Sequence, residues 1–245
     1  MAMLYLSRLL LNRPSRLVVR DLGSCQELHR TILAAFPSGL AGENGARYGA
    51  GVLFRIDDAP DGQPRLLVQS RLEPDWSRLP LGYLAGSGQK IENPACKRID
   101  EYYDRLRTGQ ELAFRLRANP TKKVDTKSTG DGARRNGRRV LLTSDTARQE
   151  WLQRKATQHG FTLLGVSHAG DRADVRMGQR PDVTGFLRNG GASKSRKLTF
   201  GTVLFDGRLR IADVPLFRAA LEHGVGSGKA YGFGLLSVAQ IGGQQ

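Results

Sequence analysis

The chain has little of what announces most chemistries. It holds two cysteines, Cys25 and Cys96, in 245 residues. That is too few for a disulfide framework or a four-cysteine zinc site, and it fits a reducing cytoplasm. Its four histidines, His29, His159, His168 and His223, show no HxxxH or HExxH spacing and no carboxylate pair beside them in a metal motif. Metal catalysis therefore has no sequence support, and no cofactor is expected. No apolar run approaches the ~20 residues that span a membrane. The apolar start, MAMLYLSRLLLN, has no basic segment before it and no small-residue cleavage site. It reads as a first strand rather than a signal peptide.

What the chain has in excess is positive charge. Lys and Arg number 38 against 23 Asp and Glu, a net +15, while 39% of residues are hydrophobic, enough for a real core. Such an excess is self-repulsive unless the partner is a polyanion, of which nucleic acid is the commonest and an anionic membrane the other. The charge is uneven. Residues 1–118 carry 17 basic and 13 acidic side chains; residues 119–245 carry 21 and 10. The second half is thus the larger electrostatic footprint. The length suits one large domain or two small ones.

The apolar segment 3–11 predicts a strand ending at the turn cluster Asn12-Arg13-Pro14-Ser15. Ser24 and Glu27 form a capping-box pattern, and Cys25, Leu28, Ile32, Ala35 and Phe36 recur at helical spacing, so residues 25–36 predict an amphipathic helix. GVLFRID (51–57) and RLLVQS (65–70) read as strands across the turn 58–62. Residues 95–106 offer a helix, and ELAFRLR (111–117) alternates as a half-buried strand. This is the βαββαβ order of a ferredoxin-like unit, which RNA-recognition domains also use. Residues 121–139 read as a basic loop. A second such order follows: strand 140–142, helix 144–158, strands 161–166 and 173–177, a hairpin of 198–205 and 208–211 through Asp206-Gly207, helix 213–223 and strand 235–241. The expectation is an α+β chain of two tandem ferredoxin-like (RRM-like) domains, residues 1–118 and 119–245.

His29 follows Leu28 of the apolar stripe and so lies about 100° round the helix, at the border of that stripe, with Arg30 further out. An imidazole with an ordinary pKa of about 6.5 can take or give a proton near neutrality. RNA supplies its own nucleophile, the 2′-hydroxyl, so a cleaving protein needs only proton transfer and charge stabilisation. A histidine so placed can equally be a boundary residue. His159 and His223 each precede a glycine at a helix C-terminus, where an imidazolium suits the helix dipole; His168 lies in a polar loop. The run 224–234 holds Gly224, Gly226, Gly228, Gly232 and Gly234 around Lys229. It fails the phosphate-loop pattern, because His223 stands at the first glycine's place and Ala230 follows the lysine. It reads either as backbone brought close to a polyanion or as a tight helix-to-strand connection.

Together these residues resemble a family: the CRISPR repeat-RNA endoribonucleases of the type I-E Cascade complex, the CasE family. LYLSRLLLN leading into QELHRT (26–31), FRLRANPTK (114–122), EWLQRK (150–155) and GVGSGKAYGFGLLSVA (224–239) carry the resemblance, in order, over nearly the whole chain. The resemblance implies two ferredoxin-like domains and metal-independent cutting of CRISPR precursor RNA at the base of the repeat hairpin. The 2′-hydroxyl would attack the adjacent phosphate, leaving a 2′,3′-cyclic phosphate and a 5′-hydroxyl. It also implies that the protein stays on the guide RNA 3′ hairpin with the other Cascade subunits, meeting target DNA only through the complex, in a prokaryotic cytoplasm and without a membrane partner. The family's catalytic histidine maps onto His29. Three residues earlier the family usually carries tyrosine; this chain has Gln26, which can hydrogen-bond but cannot give a phenolic proton. Arg188 to Lys197, with Lys194, Arg196 and Lys197, matches the family's basic groove-inserting segment. Arg30, Arg115, Arg117, Lys122 and Lys229 are further candidates for RNA contact, mostly to phosphate, because an A-form groove is read by shape. The alternatives are a non-catalytic subunit that binds the RNA hairpin and, more distantly, a DNA-binding protein.

Overall fold

The computed structural model describes residues 3–37, 49–58, 62–86, 92–124, 138–165, 174–187 and 196–242. The first strand, β1 (Tyr5–Leu10), buries alternate side chains, and the Pro14 turn feeds α1 (Arg16–Gly23), a helix that the spacing of apolar residues did not announce. Ser24 ends α1 and caps α2 (Cys25–Leu33): its Oγ accepts the Glu27 N–H at 3.5 Å while its own N–H is used by the Asp21 carbonyl. Half of the predicted capping box therefore forms. β2 (Leu53–Asp58) and β3 (Pro64–Ser70) make the expected hairpin. The sheet closes with β4 (Ala95–Arg98), in the order β2-β3-β1-β4, antiparallel throughout.

Two expectations for this unit are corrected. Residues 95–106 are not one helix: 95–98 form the edge strand β4, and only α3 (Asp100–Asp104) is helical. A four-residue strand on β1 satisfies its backbone through pairing, which overrides the modest helix propensity of ACKR. Strand β5 (Glu111–Ala118) does not complete the first sheet. It pairs with β10 (Arg196–Ile211) and β11 (Leu236–Gln240) in the second, so the division expected after residue 118 falls before residue 111. Its inward residues Leu112, Phe114 and Leu116 pack into the second core. Alternation shows that a strand has a buried face but not which core that face meets.

The second sheet runs β11-β5-β10-β8, with β8 (Phe161–Leu163) and β9 (Val175–Leu187) lying end to end along one edge of β10. Its crossovers are α4 (Asp145–Gln158) and α5 (Val214–His223), capped by Ser144 and Asp213. The fourth-first-third-second strand order of a ferredoxin-like unit is thus present in both sheets. The ends of the predicted basic loop are themselves a hairpin, β6 (Thr121–Val124) with β7 (Arg138–Leu141). The expected hairpin at Asp206-Gly207 is overturned: β10 runs straight through it. Asp206 is held there by an ion pair to Arg115 across the strands, at 2.5 Å. Gly207 is small because a Cβ would sit 2.6 Å from the Asp174 carbonyl oxygen. An Asp-Gly pair signals a turn only when its neighbours do not need a narrow strand position.

Two cores result. One, around Leu9, Val18, Leu28, Ile32, Phe54 and Trp76, lies between the first sheet and its helices. The other, around Phe114, Trp151, Phe161, Phe205 and Phe217, recruits Leu4, Ile99 and Tyr103 from the first unit. Buried polar bonds join the units. Arg55 pairs with Asp57 at 2.9 Å and donates to the carbonyls of Arg115 and Leu235 and to Ser237 Oγ; Gln69 donates to the Leu221 carbonyl at 2.7 Å.

Candidate active site

Helix α2 buries Cys25, Leu28 and Ile32, leaves His29 half-buried and exposes Arg30, as the helical spacing requires. The helix is fixed from below by Asp21 of α1. Its buried carboxylate accepts from Thr31 Oγ1 at 2.6 Å and from the Tyr83 hydroxyl at 2.9 Å, and pairs with Arg20. Burial, then the nearby Asp21 charge, pushes the Tyr83 phenol far up, so it stays a donor. His29 is fixed from the side: its ring stacks on Phe54 of β2, centroids 6.2 Å apart and 19° from parallel.

The second unit closes on the same place. The 3-10 turn Lys229–Tyr231 packs against α2 and β2. All five glycines of the 224–234 run have positive φ, between 75° and 88°. One of them shows why the run is so dense. At Gly232 (φ 83°) a Cβ would lie 3.0 Å from the Phe54 ring that carries His29. The run therefore is a tight connection, and it also brings Lys229 and Tyr231 up to the histidine's helix. From the other direction β9 reaches the start of α2: a Cβ on Gly185 would stand 2.7 Å from Cys25 Sγ and 3.8 Å from Gln26 Cγ. Tyr231 packs tilted against Phe200 of β10, ring centroids 4.8 Å apart, and Phe200 meets Phe233 at 5.8 Å, an aromatic group the sequence reading did not single out. The signal for it is visible as Tyr231 and Phe233 alternating with glycine.

The structure thus gathers Gln26, His29 and Arg30 at one edge of α2, with the backbone of the turn that carries Lys229 packed on the same helix. Arg30 is 73% exposed and pairs with Glu27 at 2.6 Å. Arg115 and Arg117 share a face of β5 as expected but are engaged within the protein. Arg115 holds Asp206, and Arg117 is desolvated over the Phe233 ring, 5.4 Å from its centroid, which lowers its affinity for a proton. Both line a mixed-charge cleft with Arg180, Asp57 and Asp182. Lys122 lies on β6, away from this cleft. Arg188 and Lys194 lie outside the described residues, as does His168. Arg196 and Lys197 begin β10, with backbones opposite Leu187 and Phe186, and their side chains lie outside the described residues too.

The two helix-end histidines meet different surroundings. His223 Nε2 lies 2.7 Å from an Arg71 nitrogen, which can only donate, and Nδ1 lies 2.9 Å from the Ala219 carbonyl. His159 is pushed down by burial and then by Lys155 and Lys229. Burial, with neighbouring cations, outweighs the helix dipole at that end. Among the described residues no three His, Cys, Asp or Glu side chains gather where they could hold a metal, and no helix is long and apolar enough to cross a membrane.

A tandem ferredoxin-like chain with a histidine between a helix, a ribbon and a glycine-rich turn falls into a defined class. Residues 4–240 match the model of the family described as CRISPR associated protein, and the chain belongs to that family. Within it, the chain is similar to the CRISPR-associated endoribonuclease Cse3 of Thermus thermophilus, 36% identical over 238 residues that cover 96% of this chain and all of Cse3. It is similar also to the Cascade subunit CasE of Escherichia coli, 34% identical over 139 residues, 56% of this chain and 61% of CasE. The structure of Thermus thermophilus Cse3 bound to an RNA representing a pre-cleavage complex matches with a TM-score of 0.71 at 34% identity, over 97% of this chain and 99% of that one.

Proposed function

We propose that the chain is an endoribonuclease that cuts CRISPR precursor RNA at the base of the repeat hairpin, with His29 as the proton-transfer residue, and then stays on the guide RNA 3′ hairpin as a Cascade subunit. The observation that carries the site is the position of His29: half-buried, stacked on Phe54, at the one helix edge on which the glycine-rich turn and β9 also converge. The names and bound RNA of the relatives carry the reaction class. Its location would be the prokaryotic cytoplasm, a reading supported by the bacterial source of its CRISPR-associated relatives.

The chemistry is a transesterification. The 2′-oxygen forms a bond to phosphorus, the 5′-oxygen leaves, the 2′-hydroxyl loses a proton and the 5′-oxygen gains one. The 2′-hydroxyl is already beside the phosphate, so the protein's task is to align it in line with the leaving oxygen and to move protons. His29 does this either as neutral imidazole taking the 2′-proton or as imidazolium protonating the 5′-oxygen. The first role makes the rate rise with pH through the imidazole's pKa, the second makes it fall. Arg30 and Lys229 supply positive charge to the phosphorane. Gln26 orients through its amide.

His29→Ala, incubated with repeat RNA, is expected to lose cleavage by a factor of about 10² to 10⁴ while hairpin binding persists. Undiminished cleavage would sink the assignment. Gln26 favours one second reading, a subunit that only holds the hairpin; wild-type protein that leaves repeat RNA intact with EDTA and with magnesium would establish it.

A further inference from the structure

A groove of about 490 Å³ runs between β11 and the corner where β4 turns into α3. It lies away from His29. The strand that carries Phe54, β2, and the strand at the groove, β4, are opposite edges of the first sheet, three strand spacings or about 14 Å apart. Six consecutive residues, Leu235 to Gln240, line one wall. Side chains of a strand alternate between two faces, so an unbroken run means that the wall is the strand's edge, with its N–H and C=O groups. Among the described residues β11 pairs with β5 alone and ends its sheet. That edge is unguarded. Open edges are commonly protected by charge, by proline or by shortness. β2 carries Arg55, Asp57 and Asp58, and β4 is four residues long with Lys97 and Arg98. β11, with the sequence LSVAQ, has no charge, proline or glycine. Beside it Leu6, Ile99, Leu106 and Val238 make apolar walls. Tyr102 stands on the rim, 62% exposed, with Lys97 Nζ 5.5 Å from its ring centre. The floor is already satisfied: the Tyr103 hydroxyl donates to Gln69 Oε1 at 3.2 Å, and Gln69 donates to the Leu221 carbonyl. What stays open is main chain and apolar surface. Lys97 and Arg105 are the cations of the rim, and among the described residues no carboxylate lines the groove.

We propose that this groove docks an extended segment of another protein, which adds to β11 as a strand, lays apolar side chains against Tyr102, Ile99 and Leu106, and brings a carboxylate to Lys97 or Arg105. The main chain decides the class of partner. A strand edge offers donors and acceptors in alternation, and an extended polypeptide answers both at the same spacing, whereas a nucleic-acid backbone answers only the donors. The apolar walls then select alternate side chains of the segment, and the rim selects its charge. The rim also argues against a second copy of this chain. A two-fold pairing of β11 with itself would set Lys97 and Arg105 against their own counterparts with no acid in the groove to meet them. The docking site does not depend on the RNA-processing reading. Its distance from His29 lets a protein segment and an RNA be held at the same time.

The test titrates the full chain with a set of seven-residue synthetic peptides that alternate valine, isoleucine or leucine with threonine and carry two glutamates. Amide signals and amide hydrogen exchange of residues 235–240 are followed by NMR. At least one peptide is expected to bind with a Kd below about 1 mM and to slow exchange at alternate amides of β11. Of two N-methylated versions of that peptide, one for each of its edges, one is expected to lose binding and the other to keep it. Tyr102→Ala is expected to raise the peptide Kd about tenfold, and the double variant Lys97→Glu, Arg105→Glu by about 3- to 10-fold. All three positions are exposed, so melting temperatures are expected to stay at the wild-type value. Absence of binding by every peptide would overturn the proposal, as would binding that leaves the β11 amides unchanged. Equal effects of the two N-methylated versions would overturn strand addition. Loss of repeat-hairpin affinity in the double variant, with peptide binding unaltered, would assign the rim to RNA and overturn the protein partner.

Discussion

The two units share one strand order and treat positive charge in opposite ways. In the first, Arg20, Arg30, Arg55, Arg78 and Arg98 each meet a carboxylate within 3.0 Å. Only Arg55 among them is buried, the other pairs lying at the surface, and the group this unit offers to a substrate is a histidine. In the second, Arg115, Arg208 and Arg210 are likewise paired across or beside the sheet, yet the cleft between α4, the β6–β7 hairpin and the 229–231 turn collects cations with no acid among them. The lesson is that net charge per half points to a domain, but pairing points to a surface. Arg115 and Arg117 look like ligands in the sequence and are occupied in the structure; Arg154 and Lys155 look like ordinary helix-surface residues and face a cleft.

That contrast can be broken by experiment. If the first unit's arginines are structural, the largest stability effect belongs to Arg55. Arg55→Ala leaves Asp57 and two carbonyls without their buried partner, and is expected to cost about 3–5 kcal/mol in denaturant unfolding. A smaller cost would mean that the units are held by apolar packing alone. Gly232→Ala comes next. The residue has φ 83° and leans on the Phe54 ring, so the variant is expected to lose about 1–2 kcal/mol and to slow cleavage more than it weakens hairpin binding. Equal losses in both would show that the turn serves grip rather than placement of His29.

The smallest effect sharpens the picture of the cleft. His159 has its pKa lowered from 6.5 in the folded protein, so the unfolded chain takes up its proton first as pH falls. Stability is therefore complete above about pH 6.5 and declines as pH drops toward the folded pKa. Burial sets this sign first, and the charged groups that face His159, Lys155 one turn back on α4 and Lys229 across the cleft, add to it. His159→Gln is expected to flatten the acid side of the melting-temperature profile slightly. The same flattening on binding hairpin RNA to the wild type would show that phosphates screen those cations. No change between free and RNA-bound protein would show that RNA leaves those cations unscreened.

Much of this was legible in the residues. Helix α2 follows from the spacing of Cys25, Leu28 and Ile32, and the same spacing puts His29 at its border and Arg30 outside. The family and the RNA-processing class follow from QELHRT, FRLRANPTK and the glycine-rich run. What failed did so for identifiable reasons. ELAFRLR declared a half-buried strand but not its sheet, because hydrogen-bond partners far along the chain decide that. Asp206-Gly207 mimicked a turn because glycine serves close approach as well as reversal. The imidazolium expected at the end of α4 is disfavoured by surroundings no local pattern shows: burial first, then Lys155 and Lys229, lower the His159 pKa.

By itself, then, the sequence determined the local chemistry: which segments can be strand or helix, an excess of cations that calls for a polyanion, a histidine at the rim of an apolar stripe. Only the tertiary structure decided what those groups face. Charge pairing and desolvation depend on distances of a few ångströms between residues that lie more than a hundred positions apart, as Arg55 and Leu235 do. Such distances are set by the register and packing of two sheets. No local pattern encodes them, and they are why the positive charge ends in a cleft beside the glycine-rich turn rather than spread over the half of the chain that carries it.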